Sequence, residues 1–154
     1  MGHVMQRTPV LQASSWTHRN RDIAVSGFER SVDAMTNSTI VQQFFDSYTR
    51  ALLGRDSKAI AEHYAVPALI EFPEHPIAVS EASQTEQFFS GAFGQYEAVS
   101  TTHATIKVVA ETGHSIWADV TWTHDAGVPS EHFIYQLVRD SESWKIAVLT
   151  PLDT

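Results

Sequence analysis

Apolar residues recur at helical intervals near the start of the periodic part of the chain. They are Ile40, Val41, Phe44, Phe45, Tyr48, Ala51 and Leu52. Intervals of three and four residues place these side chains on one face of an α-helix, because a helix turns once in about 3.6 residues. Polar residues 36–39 can satisfy the amides of the first turn, and Gly54 can close the last turn in the left-handed conformation. This pattern predicts a long amphipathic helix.

A second, shorter helical pattern follows directly. Asp56 can cap it, and its apolar face contains Ile60, Ala61, Tyr64 and Ala65. We expect Pro67 to end this helix, because proline disfavours helical geometry in the residue before it. Residues 68–72 are then predicted to form a strand that stops at Pro73.

The rest of the chain predicts one more helix and then a run of strands. Ser83 and Glu86 have the spacing of a capping box, in which each side chain accepts a hydrogen bond from the other residue's amide. Residues 75–79 are predicted to form a turn and a short strand. Alternating apolar and polar residues then predict four longer strands at about 99–111, 115–123, 131–139 and 144–149. Three helices followed by antiparallel strands predict an α+β fold.

Successive side chains in a strand point to opposite faces of the sheet, which assigns the faces of two of the last strands. The predicted inner face contains Ile116, Ala118, Val120 and Trp122 and, on the next strand, Glu131, Phe133, Tyr135 and Leu137. The opposite face of that next strand contains His132, Ile134, Gln136 and Val138. Since this outer face is also rather apolar, we expect a second copy of the chain to cover it in a homodimer.

Composition narrows the classes of function. The chain has 154 residues and 43% apolar content, which suits one folded domain without disulfides or metal. It contains no Cys, and we expect a cytoplasmic protein with no membrane contact, since no apolar run approaches a membrane helix. Residues 37–154 hold six basic and fifteen acidic residues, a balance that repels nucleic acid.

The first residues differ from the rest because they show no sustained period. We therefore expect residues 1–36 to be a flexible N-terminal extension and residues 37–154 to be the folded domain. The eight histidines show no HxH or HExxH spacing, so we expect no metal and no cofactor. His124 and His132 flank one turn and could approach each other across neighbouring strands.

The segment from Tyr48 to Asp56 and the tripeptide Glu71-Phe72-Pro73 resemble, without a gap, the start of bacterial ketosteroid isomerases. On this basis and on the order of elements, the chain is identified as a member of the nuclear transport factor 2-like superfamily (SnoaL-like and ketosteroid isomerase-like proteins). The resemblance implies a cone-shaped fold in which three N-terminal helices pack on a curved, mostly antiparallel sheet. It also implies a dimer and an apolar pocket.

The resemblance assigns roles to three positions. The family's oxyanion-binding Tyr falls on Tyr48, and its later Asp, followed by His-Phe, falls on Glu131. The general base falls on Phe72, which cannot exchange a proton, so standard ketosteroid isomerase chemistry is not expected. Glu71 cannot replace that base, because adjacent strand residues point to opposite faces. Tyr48 and Glu131 remain as candidate catalytic residues. In an apolar pocket Glu131 would be a neutral carboxyl that donates to a ligand oxygen.

Both candidates have structural alternatives. Tyr48 can be an ordinary core residue, and Glu131 can lie in solvent at the start of its strand. The expected ligand pocket contains Phe44, Phe72, Phe88, Trp122, His124, Phe133 and Tyr135.

Three functions are compatible with this pattern. The first is a domain that binds a small apolar molecule. The second is an isomerase, cyclase or dehydratase-type lyase acting on a small apolar carbonyl or polyphenolic compound. The third is a non-catalytic dimerisation module whose pocket is filled by its aromatic side chains. An open cavity with a buried Glu131 near Tyr48 would favour the enzyme. An open cavity without a titratable group would favour the binding domain, and the absence of a cavity would favour the dimerisation module.

Overall fold

The computed structural model describes the backbone of residues 27–152 and the side chains of residues 37–152. Contacts within the chain separate Met1–Thr39 from Ile40–Thr154, and the second unit contains the sheet and the candidate site. The expected extension at residues 1–36 lies outside the described side chains, and its boundary stays a prediction.

Three α-helices occur in the described part of the chain: α1 (Gly27–Leu53), α2 (Ser57–Glu62) and α3 (Ala82–Ala92). A 3₁₀ helix, Phe93–Tyr96, follows α3. The prediction for α1 was correct over its apolar stripe and wrong about its start. Residues 36–39 lie inside the helix and do not cap it.

The turn after α1 also differs from the prediction. Gly54 donates its amide to the Arg50 carbonyl (2.9 Å), but the left-handed backbone conformation falls on Arg55, with φ of 50°. Asp56 caps α2 as predicted, because its Oδ1 accepts a hydrogen bond from the Ala59 amide (3.1 Å). The first two helices are therefore joined through a backbone conformation that is uncommon for arginine.

Strand β1 (Tyr64–Ile70) begins four residues before the predicted strand. Tyr64, expected on a helix, instead pairs with Ile146 of the last strand. Its ring is buried and lies 5.5 Å from the Phe89 ring. Pairing across the sheet therefore overrides the local helical pattern, and Pro67 lies within the strand, after a cis peptide bond.

The described residues form one six-stranded sheet. Its remaining strands are β2 (Ile77–Val79), β3 (Thr102–Glu111), β4 (Ser115–His124), β5 (Glu131–Asp140) and β6 (Ser143–Pro151). The strand order is β2-β1-β6-β5-β4-β3, and every neighbouring pair is antiparallel except β1 and β6. The expected α+β fold with a mostly antiparallel sheet is confirmed.

Helix α3 is capped differently from the prediction. The Gln84 side-chain oxygen accepts hydrogen bonds from the amides of Ser80 (2.7 Å) and Glu81 (2.9 Å). The helix therefore begins one residue before Ser83, and the Ser83–Glu86 pair is not the cap. An amide oxygen can replace a carboxylate here, because the free backbone amides need only an acceptor.

The inner face of the sheet forms the core as the alternation predicted. Ile116, Ala118 and Val120 are fully buried, and Trp122 is nearly so. On the outer face, His132, Ile134, Gln136 and Val138 are half-buried in the single chain. The homodimer through this face stays a prediction. Within residues 27–152, no helix is both long and apolar enough to cross a membrane.

Candidate functional site

A cavity of about 380 Å³ opens between the helices and the inner face of the sheet, within the unit Ile40–Thr154. Its wall is largely aromatic and includes Phe72, Phe88, Trp122, Phe133 and Tyr135. Sites for small molecules commonly have volumes of roughly 300–1,000 Å³ and mostly apolar walls. The cavity is therefore of a suitable size and character for a compact organic ligand.

Six of the seven side chains predicted for the pocket line this cavity, and Phe44 does not. Phe44 lies one turn before Tyr48 on α1. Its ring packs edge-on against Phe45 (5.3 Å between centroids) and His63 (5.4 Å). The shared helical face was predicted correctly, but the cavity ends before Phe44.

Tyr48 belongs to a buried network of hydroxyl groups at the cavity wall. Its hydroxyl lies 2.7 Å from the Tyr64 hydroxyl, and the neighbouring Tyr135 hydroxyl accepts a hydrogen bond from Trp122 Nε1 (3.0 Å). Burial raises the pKa of Tyr48, Tyr64 and Tyr135 well above the ordinary value, so all three stay protonated. Tyr48 is therefore both a core residue and a residue that borders the cavity.

Glu131 forms the polar end of the cavity, but its partners differ from the predicted one. Its Oε1 accepts a hydrogen bond from the Tyr96 hydroxyl (2.5 Å), and its Oε2 lies 3.0 Å from His124 Nε2. The pair with Tyr48 is not formed, because Glu131 opens β5 beside Trp122 at the end of the sheet, whereas Tyr48 lies beside Tyr64. Glu131 therefore accepts a hydrogen bond from Tyr96 and has no contact with Tyr48 among its hydrogen bonds.

Tyr96 supplies the donor for that contact. Burial raises the pKa of Tyr96, and the hydrogen bond and charge of Glu131 raise it further, so the phenol keeps its proton. The Glu131 side chain is 30% exposed. A carboxylate has about four acceptor positions, so Glu131 can accept a further hydrogen bond from a ligand.

His124 connects Glu131 to a hydroxyl group on the neighbouring strand. Its Nδ1 is hydrogen-bonded to Thr102 Oγ1, and Thr102 is its partner across the β3–β4 pair. Since a carboxylate only accepts, we assign the proton of neutral His124 to Nε2, which leaves Nδ1 to accept from the Thr102 hydroxyl. Thr102, His124, Glu131 and Tyr96 thus form one hydrogen-bonded chain along the cavity wall.

His132 does not join His124, contrary to the possibility that the shared turn suggested. The side chain of His132 points to the outer face of the sheet, where its Nε2 lies 2.5 Å from Asp119 Oδ1. Glu131 and His132 are adjacent in a strand, so their side chains point to opposite faces. Only one of the two histidines contributes to the cavity.

Arg55 lines the cavity and was not identified from the sequence. Its guanidinium donates hydrogen bonds to the carbonyls of Tyr96 (2.5 Å), Val99 (2.9 Å) and Leu53 (2.9 Å). It thereby ties the segment that contains Tyr96 to the end of α1. The contacts with Tyr96 and Val99 join residues more than forty positions apart, so no local pattern indicates them. Thr102 and Tyr96 were missed for the same reason.

Among the side chains of residues 37–152, no group of three or more His, Asp or Glu residues could hold a metal ion. The polar end of the cavity contains one carboxylate and one imidazole, whose ring nitrogens both have protein partners.

A second imidazole lies outside the cavity and gives a prediction of pH dependence. His63 Nδ1 is 2.7 Å from the Ala59 carbonyl and its Nε2 is 2.9 Å from Ser47 Oγ, so Nδ1 carries the proton and Nε2 accepts. Burial lowers the pKa of His63 below its ordinary value. The unfolded chain therefore binds a proton more readily, and stability is lost as the pH falls below about 6.5 towards the lower folded pKa.

Urea unfolding between pH 5 and pH 8 checks this expectation. The His63→Gln variant should lose part of the decline seen in the unmodified chain, whereas His103→Gln, at an exposed position, should keep it. If the free energy of unfolding declined equally with falling pH in the unmodified chain and in the His63→Gln variant, His63 would not be the cause of the decline.

Comparison with known proteins identifies the family to which the fold belongs. A family model described as NTF2-like protein (DUF6841) matches residues 36–154. No curated protein sequence matches the chain.

Solved structures with similar folds share little sequence with the chain. An NTF2-like protein of unknown function from Shewanella oneidensis has a TM-score of 0.63 at 12% identity, over 76% of this chain and 99% of that chain. A candidate scytalone dehydratase from Novosphingobium aromaticivorans has a TM-score of 0.62 at 10% identity, over 80% and 89%. A candidate aromatic ring hydroxylase from the same species has a TM-score of 0.55 at 16% identity, over 76% and 88%. At these identities the similarity shows the fold alone.

Proposed function

The chain belongs to the family NTF2-like protein (DUF6841), and from that premise we propose that its cavity binds a small, mostly apolar molecule that carries a hydroxyl group. One observation carries the proposal. Glu131 opens onto an aromatic cavity as a hydrogen-bond acceptor, with Tyr96 and His124 holding its two oxygens. A hydroxyl donor on the ligand complements this acceptor, whereas a ligand with only carbonyl groups does not.

The apolar walls supply the larger part of the expected affinity. Burying apolar ligand surface contributes about 25 cal/mol per Å² before the entropic cost of association is subtracted. The ring of Phe72 packs 5.3 Å from Phe88 and 6.1 Å from Phe133, and together these rings suit a flat aromatic ligand. The names of the two Novosphingobium proteins, a dehydratase and an aromatic ring hydroxylase, guide the choice of an aromatic probe.

The lyase alternative has less support from the geometry. Phe72 lies in the cavity wall at the position of the isomerase base, among aromatic rings, and supplies no proton acceptor there. Both oxygens of Glu131 already accept hydrogen bonds from protein groups. The dimerisation module also has less support, because it requires a pocket filled by aromatic side chains and the cavity is open.

The test compares 2-naphthol with its methyl ether, which keeps the ring system and lacks the hydroxyl proton. We expect calorimetry at pH 7 to show about tenfold tighter binding of 2-naphthol, because a hydrogen bond to a charged acceptor is worth roughly 1.5–3 kcal/mol. The Glu131→Gln variant should lose most of this preference and still bind the methyl ether.

Glu142→Gln is the matched control, because Glu142 lies exposed in the β5–β6 turn. It should keep the preference of the unmodified chain. The proposal fails if neither probe binds, or if both bind equally well to the unmodified chain.

A further inference from the structure

Three of the polar residues on the cavity wall have the order of a nucleophile, a base and a carboxylate. Thr102 Oγ1 is bonded to one ring nitrogen of His124, and the other nitrogen lies 3.0 Å from Glu131 Oε2. All three residues line the same cavity. Triads of this kind are recognised by geometry and by the role of each member, and threonine is among the side chains that serve as nucleophiles.

We propose that Thr102, His124 and Glu131 form a catalytic triad that hydrolyses small carboxylic esters of aromatic alcohols. The proposal rests on the proposed function, since the aromatic alcohol that hydrolysis releases is the ligand assigned to the cavity, and the apolar walls hold the ester itself. Thr102 is the nucleophile, His124 is the general base through Nδ1, and Glu131 is the positioning residue that stabilises the charged imidazole.

The tautomer of His124 matches this assignment. Glu131 accepts from Nε2, so Nδ1 has a free electron pair directed at the Thr102 hydroxyl. The His124 side chain is only 7% exposed, which keeps bulk water from competing for either ring nitrogen. Tyr96 holds the second oxygen of Glu131 at 2.5 Å and limits the rotation of the carboxylate. The cavity extends from Thr102 over aromatic rings, where the alcohol half can lie.

The reaction balances without a cofactor. Thr102 Oγ forms a bond to the acyl carbon while His124 Nδ1 takes the hydroxyl proton. The ester C–O bond then breaks, and His124 returns the proton to the leaving alcohol. Water next attacks the acyl-threonine, with His124 accepting its proton, and Thr102 leaves with that proton. One ester and one water thus become one acid and one alcohol.

The experiment uses the full chain with 2-naphthyl acetate, whose naphthol half is the binding probe of the proposed function. An aryl ester is suitable because its leaving group departs readily. We expect release of 2-naphthol above the buffer rate, together with an acetyl group on Thr102 detected by peptide mass spectrometry. The Thr102→Val variant keeps the side-chain shape and should lose about 100-fold or more of the rate, whereas Thr102→Ser should retain activity.

Matched variants separate the roles of the residues. Thr105→Val alters an exposed threonine three residues along the same strand and should leave the rate unchanged. The Glu131→Gln variant should lower the acylation rate and shift its pH profile, a change that a purely structural loss would not cause. Calorimetry should still detect 2-naphthol binding to Thr102→Val, because the aromatic walls and Glu131 are kept in this variant.

Each contrary result has a distinct meaning. If 2-naphthol binds and its ester is not hydrolysed, the triad is wrong and the proposed function stands. If 2-naphthol does not bind, the proposed function is wrong, and the triad loses the ligand on which it rests. Acetylation of Ser47, which lies 2.9 Å from His63 Nε2, would also overturn the assignment to Thr102, as would full activity of Thr102→Val.

Discussion

Phe45→Ala should lower the free energy of unfolding by about 4 kcal/mol, because truncating a buried phenylalanine removes apolar contacts and leaves a cavity. Phe45 is 1% exposed. Its ring lies 5.1 Å from the Tyr135 ring and 6.2 Å from both Tyr48 and Trp122, in edge-on contacts that add to the energy of burial. The same rings support the cavity wall, so 2-naphthol should bind more weakly to this variant.

Urea unfolding at pH 7 measures the stability effect. Val109→Ala is a suitable comparison, because Val109 is 48% exposed in strand β3 and its truncation should change stability by no more than about 0.5 kcal/mol. If Phe45→Ala proved as stable as Val109→Ala, the aromatic cluster around Phe45 would not be the core that the structure shows.

Arg55→Met should lower stability by about 3 kcal/mol and weaken 2-naphthol binding about tenfold. Methionine keeps much of the apolar stem but removes the donors that serve the carbonyls of Leu53, Tyr96 and Val99. Hydrogen bonds from a charged donor are worth roughly 1.5–3 kcal/mol each, and water can replace part of this loss at half-buried carbonyls. Binding should weaken because Tyr96 is no longer held against Glu131.

Two further substitutions test whether the lost hydrogen bonds of Arg55 cause these effects. Arg55→Lys keeps the charge and a single donor group, so it should recover only part of the stability, because lysine cannot span several carbonyls. Arg139→Met removes an exposed arginine and should be nearly neutral. Loss of stability in Arg55→Met without any loss of ligand binding would show that Arg55 does not position Tyr96.

The parts of the fold that were predicted correctly depend on neighbours in the sequence. The helical stripe of α1 follows from intervals of three to four residues, and the alternation in β4 and β5 follows from intervals of two residues. Each interval is a property of backbone geometry, so the buried faces of Phe45 and of Ile116 can be assigned before any tertiary contact is known. Burial of the predicted inner face confirms this reasoning.

The parts that were predicted wrongly depend on contacts between distant segments. Tyr64 has a local helical pattern, yet it lies in β1 because that strand pairs with β6. Tyr96 ends the 3₁₀ helix, and nothing nearby in the sequence indicates that its hydroxyl reaches Glu131, 35 residues later. Arg55 similarly contacts carbonyls more than forty residues away.

The candidate site divides in the same way. The sequence by itself determined that Trp122 and Tyr135 face the interior and that Glu131 shares their face, because alternation along a strand allows no other arrangement of those side chains. Only the tertiary structure decided what Glu131 bonds to, since the register of β4 against β5 and the docking of the 3₁₀ helix bring His124 and Tyr96 to it. Registers and docking depend on the packing of the whole domain, and therefore no local pattern could assign Glu131 as an acceptor.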